Sequence, residues 1–195
     1  AGRMALRLLP DSSSAMRAGI VGLSISTHAR AARYLPLRHA GMHTGPQLTV
    51  TEALDGLRPV LEDAGIEKVG HDLKFDVIVL ARHGVSLRGL GLDTMLASYL
   101  LDATRSGHPL EGTALEHLGY KAVTEDELCG RGAKATPLVD LPPDATLNFA
   151  GERTDLALQM ADALAPKLQE AELADVYARL ERPLIPVLVD IERAG

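Results

Sequence analysis

The chain has 195 residues, 46% of them hydrophobic and 24% charged, which fits one well-packed globular domain and excludes a disordered chain. The formal charge of −6 gives no general attraction to nucleic acid. The single cysteine, Cys129, excludes an internal disulfide, and no apolar run approaches the roughly 18 residues of a membrane span. We therefore expect a domain of the reducing cytoplasm with no membrane partner.

The N-terminal part of the chain is predicted to form strands. Residues 4–10 alternate in polarity, so that the even-numbered apolar residues share one face while Arg7 lies beside Leu9 on the other. Segments 18–27 and 30–39 have the same character and are joined by short turns. The three segments together predict an antiparallel meander.

Helices alternate with short strands in the rest of the chain. The apolar spacing predicts helices over 51–65, 73–84, 94–103, 109–119 and 124–130, and two long helical segments from about residue 144 to 195. Segments 67–72 and 85–93 are predicted strands, and a loop rich in Gly and Pro spans 130–144. The sum is an α/β or α+β layered domain with about five strands.

Three segments carry a resemblance to a known family. The string "KVGHDLKFDVIVLARHGVSLRGLGLDTMLASYLLDA" (68–103), then "LEGTALEHLGY" (110–120) and "RPLIPVLVDIERAG" (182–195), resemble the 3′–5′ exonuclease domain of bacterial DNA polymerase I, in the family A polymerases. The resemblance implies an RNase H-like fold, with a mixed sheet of about five strands flanked by helices.

The resemblance also implies a longer parent protein that acts in DNA replication and repair. Residues 1–180 would be the exonuclease-like domain, and residues 181–195 would begin the connection into the polymerase domain. We expect the chain to be a fragment of that parent. Its partners would be the polymerase and 5′-nuclease domains of the same chain, with DNA bound weakly through the parent.

Active members of the family remove a mispaired 3′ nucleotide with two divalent ions, Mg²⁺ or Mn²⁺, which activate a water and stabilise charge on the phosphate. Such ions take carboxylate oxygens as ligands. The family pattern supplies four carboxylates: an Asp and a Glu two apart on the first strand, an Asp in the middle segment, and an Asp four residues after a Tyr on a late helix.

Only one of these carboxylates is present here. Arg7 and Leu9 stand at the Asp and Glu of the first strand, Asp76 retains the middle position, and Phe149 and Arg153 stand at the Tyr and Asp of the late helix. A guanidinium about 4 Å from a divalent ion costs about 8 kcal/mol at an effective dielectric of about 20. We therefore expect no bound metal or other cofactor, a vestigial Asp76 and a catalytically inactive domain that acts as a scaffold.

The alternative is an active proofreading exonuclease with a rearranged metal site. Three nearby carboxylates are the candidates for such a rearrangement: Asp11, Glu152 and Asp155. Strand length separates the first from position 7 by roughly 13 Å, and the other two point away from position 153 on the helix. We expect none of them to rebuild the site.

An ion pair is the more economical occupant of the metal space. We expect Arg7, Arg153 or both to reach the Asp76 carboxylate with a guanidinium fork. The competing interpretation is that Asp76 is a solvated or helix-capping aspartate.

The remaining polar candidates favour structural roles. His39 and His43 have zinc-like spacing but are expected to be a surface pair, and Asp93 is expected to cap the helix that follows it. For "HDLK", residues 71–74, we favour structure over strand binding. The "CGRGAK" segment (129–134) is expected to be a flexible loop with a potential DNA contact.

Few groups are available to stack on bases. Aromatic residues make up 3% of the chain, and Ser12, Ser13 and Ser14 stand where the resemblance implies an apolar wedge between terminal bases. Single-stranded DNA should therefore find few stacking platforms here.

Overall fold

A computed structural model describes residues 2–41 and 44–195. Its described residues form one five-stranded mixed sheet with the strand order β3-β2-β1-β4-β5. The strands are β1 (Gly2–Pro10), β2 (Ile20–Ser26), β3 (Arg33–Pro36), β4 (Ile66–Gly70) and β5 (Leu90–Asp93). The meander β1-β2-β3 is antiparallel, whereas β4 is parallel to both β1 and β5. The predicted mixed sheet of about five strands, with its RNase H-like architecture, is confirmed.

The helices follow the predicted order. They are α1 (Val50–Leu61), α2 (Leu73–Arg82), α3 (Thr94–Leu101), α4 (Leu110–Leu118), α5 (Glu125–Cys129), α6 (Pro143–Glu170), α7 (Ala174–Val176) and α8 (Arg182–Ala194). A π-helical stretch, Tyr177–Glu181, joins α7 to α8. No helix among the described residues has the length and apolar character needed to cross a bilayer.

Four of the strands, β2 to β5, are shorter than predicted, and for β3 and β5 the start of the strand is displaced most. The third begins at Arg33 instead of residue 30, because Arg30 adopts a left-handed φ of 62° and donates its backbone N–H to the Asp155 carboxylate. The fifth begins at Leu90 because Gly89, with a φ of 70°, turns the chain just before it. Both boundaries are set by backbone turns that interrupt an otherwise strand-like pattern.

The sheet buries both of its faces. Leu6 and Leu8 of β1 belong to the main core with residues of α1, α2 and α8. On the opposite face, Leu9 packs with Phe149 of α6, and Ala5 packs with other α6 residues. Arg7 lies between Ala5 and Leu9, so it is directed toward the α6 side, as is Arg3, which pairs with Asp162 of α6.

The sheet splits halfway along its central strand. β4 pairs with β1 only from Gly2–Ile66 to Ala5–Val69 and ends at Gly70, where the chain turns into α2. A Cβ at Gly70 would lie 2.5 Å from Leu73 Cδ2, so glycine permits this tight turn. The second half of β1 consequently faces the start of α2 instead of a strand.

The last helix has two apolar sides. Ile185 and Val189 of α8 are buried in the main core against α2, and Glu192 forms an ion pair with Lys74 of α2 at 2.6 Å. A second set of apolar residues remains exposed: Leu180, Leu184, Val187, Leu188 and Ile191. Their i, i+3, i+4, i+7 spacing makes one continuous band, which we call the α8 stripe.

Candidate functional site

A cleft of about 510 Å³ opens where the sheet splits. The positions singled out from the sequence as replaced metal ligands and tyrosine all line it: Arg7, Leu9, Phe149 and Arg153. His71, His108 and Glu111 complete its polar lining together with Asp72 and Glu125. The structure therefore brings the predicted residues to one place, with Asp76 directly behind Arg7.

Asp76 lies in the first turn of α2 and is fully buried. Its Oδ1 accepts the backbone N–H of Leu8 at 3.1 Å, which is a strand donor left without a partner where β4 ends. Its Oδ2 has no hydrogen-bond partner and lies 3.6 Å from Arg7 Nη1. Burial raises the pKa of Asp76 to about 7, against the opposing effects of the Arg7 charge and the Leu8 bond. The solvated and helix-capping interpretations are both wrong.

Arg7 supplies the expected ion pair. Its guanidinium lies 3.6 Å from Asp76 Oδ2, donates a hydrogen bond from Nη1 to the His71 carbonyl at 3.1 Å, and lies 5.3 Å from the centre of the Phe75 ring. The Arg7 side chain is 22% exposed, so one part of it contacts Asp76 while another faces the cleft. The predicted ion pair is confirmed, but the predicted fork is wrong, since only Nη1 approaches Asp76 and Oδ2 accepts no hydrogen bond.

Arg153 has a different partner from the one predicted. Its Nη2 donates to Glu111 Oε1 at 2.6 Å, and its guanidinium stacks 3.9 Å from the centre of the Phe149 ring. Burial opposes ionisation of Glu111, but the hydrogen bond and charge of Arg153 outweigh it and lower the pKa of that carboxyl. Of the two arginines proposed as partners of Asp76, Arg7 alone pairs with it, because α4 presents a carboxylate to Arg153.

Glu111 is the site residue that sequence reasoning missed. It lies in the first turn of α4, 42 residues before Arg153, and no local spacing connects the two positions. The only available signal was its place inside the "LEGTALEHLGY" segment that carries the family resemblance.

The side chains of the cleft do not fit a two-metal centre. Across residues 2–41 and 44–195, no three His, Cys, Asp or Glu side chains gather into a group able to hold a metal ion. Among the residues that the structure describes, the one buried carboxylate oxygen without a hydrogen bond is Asp76 Oδ2, and it faces a guanidinium. Leu9 is 1% exposed and packs with Phe149, so it offers no ligand atom.

The three carboxylates considered for a rearranged site all have other partners. Asp11 pairs with Arg38 and accepts the Gly19 N–H. Glu152 accepts hydrogen bonds from the Tyr120 hydroxyl and the Val123 N–H. Asp155 binds the Arg30 N–H and Gln159. None of the three lines the cleft.

The "HDLK" segment is tied into the fold. His71 lies with Nδ1 2.9 Å from Thr94 Oγ1 and Nε2 2.9 Å from the His108 carbonyl, and burial lowers its pKa to about 3. Asp72 has a left-handed φ of 64° at the turn into α2, and Lys74 is paired with Glu192. These contacts support the structural role that we favoured.

Asp93 caps α3 as predicted and also holds the start of α2. Its carboxylate accepts the N–H groups of Met95 and Leu96 in α3, and those of Asp72 and Leu73 at the entry to α2. Burial raises the pKa of Asp93 to about 6, against these four hydrogen bonds. One side chain therefore joins two helix N-termini beside the cleft.

The other polar candidates lie away from the cleft. His39 is buried, with Nε2 2.5 Å from the Tyr34 hydroxyl and Nδ1 2.7 Å from the Leu141 carbonyl. The expected surface position of His39 is therefore wrong, because both ring nitrogens find partners inside the fold. His43 lies outside the described residues. In the 129–134 segment Arg131 pairs with Asp126 at 2.9 Å, and its contact with DNA stays a prediction.

Comparisons with known sequences agree with this architecture. The sequence pattern of the 3′–5′ exonuclease family matches residues 11–169, so the strand that carries Arg7 and Leu9 lies outside the matched part. The chain is 37% identical over 187 residues to DNA polymerase I of Pseudomonas aeruginosa, covering 94% of this chain and 20% of that protein. It is 35% identical over 213 residues to DNA polymerase I of Rhizobium leguminosarum, covering 100% of this chain and 21% of that protein.

Solved structures share the fold. One is described as the POL domain of Pol1 from M. smegmatis in complex with DNA primer-template and dNTP. It aligns with a TM-score of 0.77 at 24% identity, over 99% of this chain and 29% of that one. Brucella melitensis NrnC aligns with a TM-score of 0.75 at 16% identity, over 100% of this chain and 86% of that one. At these identities the likeness shows the fold alone, but the sequence matches show the family. The chain belongs to the 3′–5′ exonuclease family, as a domain of the kind found in bacterial DNA polymerase I.

Proposed function

We propose that this domain is a catalytically inactive member of its family that acts as a structural scaffold within a DNA polymerase I. The observation that carries the proposal is the Arg7 guanidinium 3.6 Å from Asp76 Oδ2. A fixed positive charge beside the one retained carboxylate repels a divalent ion at the position where such an ion would have to bind.

Two further features of the cleft support inactivity. Arg153 brings a second positive charge, held against Glu111 and Phe149. Phe149 has no hydroxyl with which to orient a water molecule, and Leu9 replaces a ligand with an apolar side chain. A phosphodiester could enter such a cleft without meeting an activated nucleophile.

The scaffold role rests on the context of the chain. The chain spans about one fifth of the length of the curated relatives described above. In our proposal residues 1–180 form the exonuclease-like domain, and residues 181–195 begin the connection to a polymerase domain that covers the α8 stripe. A 5′-nuclease domain would complete the parent, which would act in replication and repair in the cytoplasm.

DNA would bind this domain weakly and through the parent. The turn after β1 carries Ser12, Ser13 and Ser14, which offer no stacking surface. The basic residues of the 129–134 segment are the proposed DNA contact, although Arg131 is already paired with Asp126.

The deciding experiment is a nuclease assay on a labelled primer with a mispaired 3′ end, in Mg²⁺ and separately in Mn²⁺. We expect no release of mononucleotides above that of an Asp76→Asn control. Suppose that the unmodified chain releases mononucleotides and that this release disappears in both Asp76→Asn and Glu111→Gln. That result would overturn the proposed inactivity and favour the rearranged metal site.

A restoration experiment tests the assignment of the replaced positions. The quadruple variant Arg7→Asp, Leu9→Glu, Phe149→Tyr and Arg153→Asp should regain Mn²⁺ binding by calorimetry, because it gathers four carboxylates in one cleft. Little nuclease activity is expected if contacts to the strand are also lost. Absence of Mn²⁺ binding in a variant that is folded by circular dichroism would contradict the assignment.

A further inference from the structure

The cleft holds two guanidinium groups whose hydrogen-bonding capacity is only partly used. Among the described residues, Arg7 donates side-chain hydrogen bonds through Nη1 alone, and Arg153 through Nη2 alone. Neither side chain has a buried nitrogen left unpaired. The Nε and second terminal nitrogen of each arginine are therefore unpaired but not fully buried, and both residues line the cleft.

Both groups are held in place before any ligand arrives. Arg7 is anchored by the His71 carbonyl and the Phe75 ring, and Arg153 by Glu111 and the Phe149 ring. Their side chains are 22% and 13% exposed, so little rotamer freedom remains to be lost on binding. The free Nε and Nη2 of Arg7 form a planar fork that matches two phosphate oxygens, whereas Arg153, whose Nη2 binds Glu111, offers Nε and Nη1 as single charged donors.

The two arginines line the same cleft, and the charge of each reaches it. Both positive charges lower the pKa of His71, whose ring lies in the lining of the cleft, after the larger effect of burial. The cleft volume of about 510 Å³ lies within the roughly 300–1,000 Å³ typical of small-molecule sites.

We infer that this cleft has the opposite ion preference from a metal site: it binds a phosphate group directly, without a metal ion, between Arg7 and Arg153. The inference goes beyond the proposed function, since an inactive scaffold needs no ligand.

The acidic groups around the cleft limit the expected affinity without blocking the site. Glu111 is engaged by Arg153, and Asp76 lies behind Arg7, fully buried. Asp72 is half-buried and Glu125 is exposed, so water and salt weaken their repulsion of an anion. We therefore expect millimolar rather than micromolar binding of free phosphate.

The test is a titration with inorganic phosphate in the presence of EDTA, followed by the arginine Nε–Hε signals in ¹H–¹⁵N spectra. The signals of Arg7 and Arg153 should shift in a saturable manner. Arg153→Met should weaken binding at least about tenfold, because it removes one of the two positive charges together with the free Nε and Nη1 donors. Arg7→Lys, which keeps the charge beside Asp76, should weaken it several-fold. The control Arg3→Met, on the same strand but paired with the exposed Asp162, should leave binding unchanged.

Three outcomes would overturn the inference: shifts that do not saturate, shifts no larger than those caused by chloride, or equal affinity in Arg153→Met. Broadening of the cleft signals by Mn²⁺ in the unmodified chain would also overturn it, since the cleft would then prefer cations. Failure here leaves the proposed function standing, because inactivity is tested separately by the nuclease assay.

The source of the phosphate is distinguished by two further ligands. A deoxynucleoside 5′-monophosphate and a short single-stranded oligonucleotide should both compete with inorganic phosphate. Tighter binding of the oligonucleotide at the same two arginines identifies a DNA end as the ligand, and equal binding identifies small phosphate compounds. An absence of competition by either ligand would contradict the assignment to a phosphate group.

Discussion

At the scale of single residues, the central feature is a buried carboxyl group next to an arginine. Asp76 satisfies the Leu8 N–H through Oδ1, while Oδ2 has only the Arg7 charge nearby. Burial raises the pKa of Asp76 to about 7, whereas an unfolded aspartate titrates near 3.9. Folding therefore takes up a proton at intermediate pH, and the ion pair only partly offsets the cost of burying the charge.

The first prediction concerns the pH dependence of stability. Because the folded-state pKa is raised, the contribution of this group to the free energy of unfolding should be greatest below about pH 4 and be lost as the pH rises to about 7, by on the order of 4 kcal/mol. Asp76→Asn, which keeps an oxygen acceptor for Leu8, should flatten that decline in urea titrations between pH 4 and 8. The exposed Asp162→Asn serves as control, and an unchanged slope in Asp76→Asn would refute the prediction.

The second prediction concerns the partner of this carboxyl. Arg7→Met should lower the free energy of unfolding by about 1–3 kcal/mol at pH 8, because it leaves a buried carboxylate without a compensating charge. The loss should be smaller at pH 5, where Asp76 is protonated. Arg3→Met, which breaks a half-exposed pair with Asp162, should cost less than about 1 kcal/mol at either pH. Equal losses at pH 5 and pH 8 for Arg7→Met would contradict this account.

At the scale of elements, the two helices next to the cleft depend on one carboxylate at the end of a strand. Asp93 closes β5, and its two oxygens accept four backbone N–H groups from the starts of α2 and α3. Its own N–H donates to the Tyr177 hydroxyl, which in turn donates to the Gly91 carbonyl. Strand end, two helix starts and the π-helical stretch are thus joined around a single residue.

The third prediction follows from that arrangement. Asp93→Ala should lower the free energy of unfolding by at least about 3 kcal/mol, because it leaves several backbone donors unpaired near the core. The matched control is Thr49→Ala, which removes the ordinary capping box of α1 and should cost about 1 kcal/mol. Chemical denaturation at pH 7.5 measures both, and a loss at Asp93 no greater than at Thr49 would argue against the joint role.

At the scale of the whole molecule, the packing is complete on one side of α8 and absent on the other. Ile185 and Val189 are 2% and 4% exposed, whereas Val187 and Ile191 are 50% and 63% exposed. A continuous apolar band of this kind on a folded domain is typical of an interaction surface. In the proposed scaffold role, a polymerase domain of the same chain would cover this band.

The fourth prediction separates the two sides of this helix. The double variant Leu188→Glu and Ile191→Glu should leave the thermal midpoint of the chain within about 2 °C, since surface changes rarely exceed about 0.5 kcal/mol. It should also reduce binding of a hydrophobic dye. Ile185→Glu, on the buried side, should unfold the domain or lower its midpoint by more than about 10 °C. A large loss in the double variant would show that the stripe already has a partner within the chain.

The sequence was sufficient for the features that depend on local pattern. The strand-like segments that begin with residues 4–10 predicted the sheet, and the helical spacing after residue 49 predicted the order of the helices. Asp93 was identified as a helix cap from its position at the end of a strand and the start of a helix. The contact of Arg7 with Asp76 was also predicted, because the family resemblance placed both residues around one centre.

The features that were missed depend on partners far along the chain. Arg153 pairs with Glu111, 42 residues earlier in the chain. His39 is buried, and its Nδ1 contacts the Leu141 carbonyl, 102 residues later. No periodicity in a single sequence records such pairs. The start of β3 was misplaced for the same reason, since Asp155 of α6 holds Arg30 in its turn.

The split in the sheet bears on which substitutions this domain can tolerate. Wherever β4 ends beside β1, the Leu8 amide needs an acceptor, and the side chain at position 76 is the one that reaches it. The side chains at positions 7 and 153 also bond backbone carbonyls, but both are partly exposed, so water can replace them there. Random replacement followed by selection for folded protein should therefore recover almost only Asp and Asn at 76, apolar residues at the buried position 9, and a wider range of residue types at 7 and 153. On this account Asp76 is retained in a site without metal ligands because the Leu8 amide still needs its carboxylate as an acceptor.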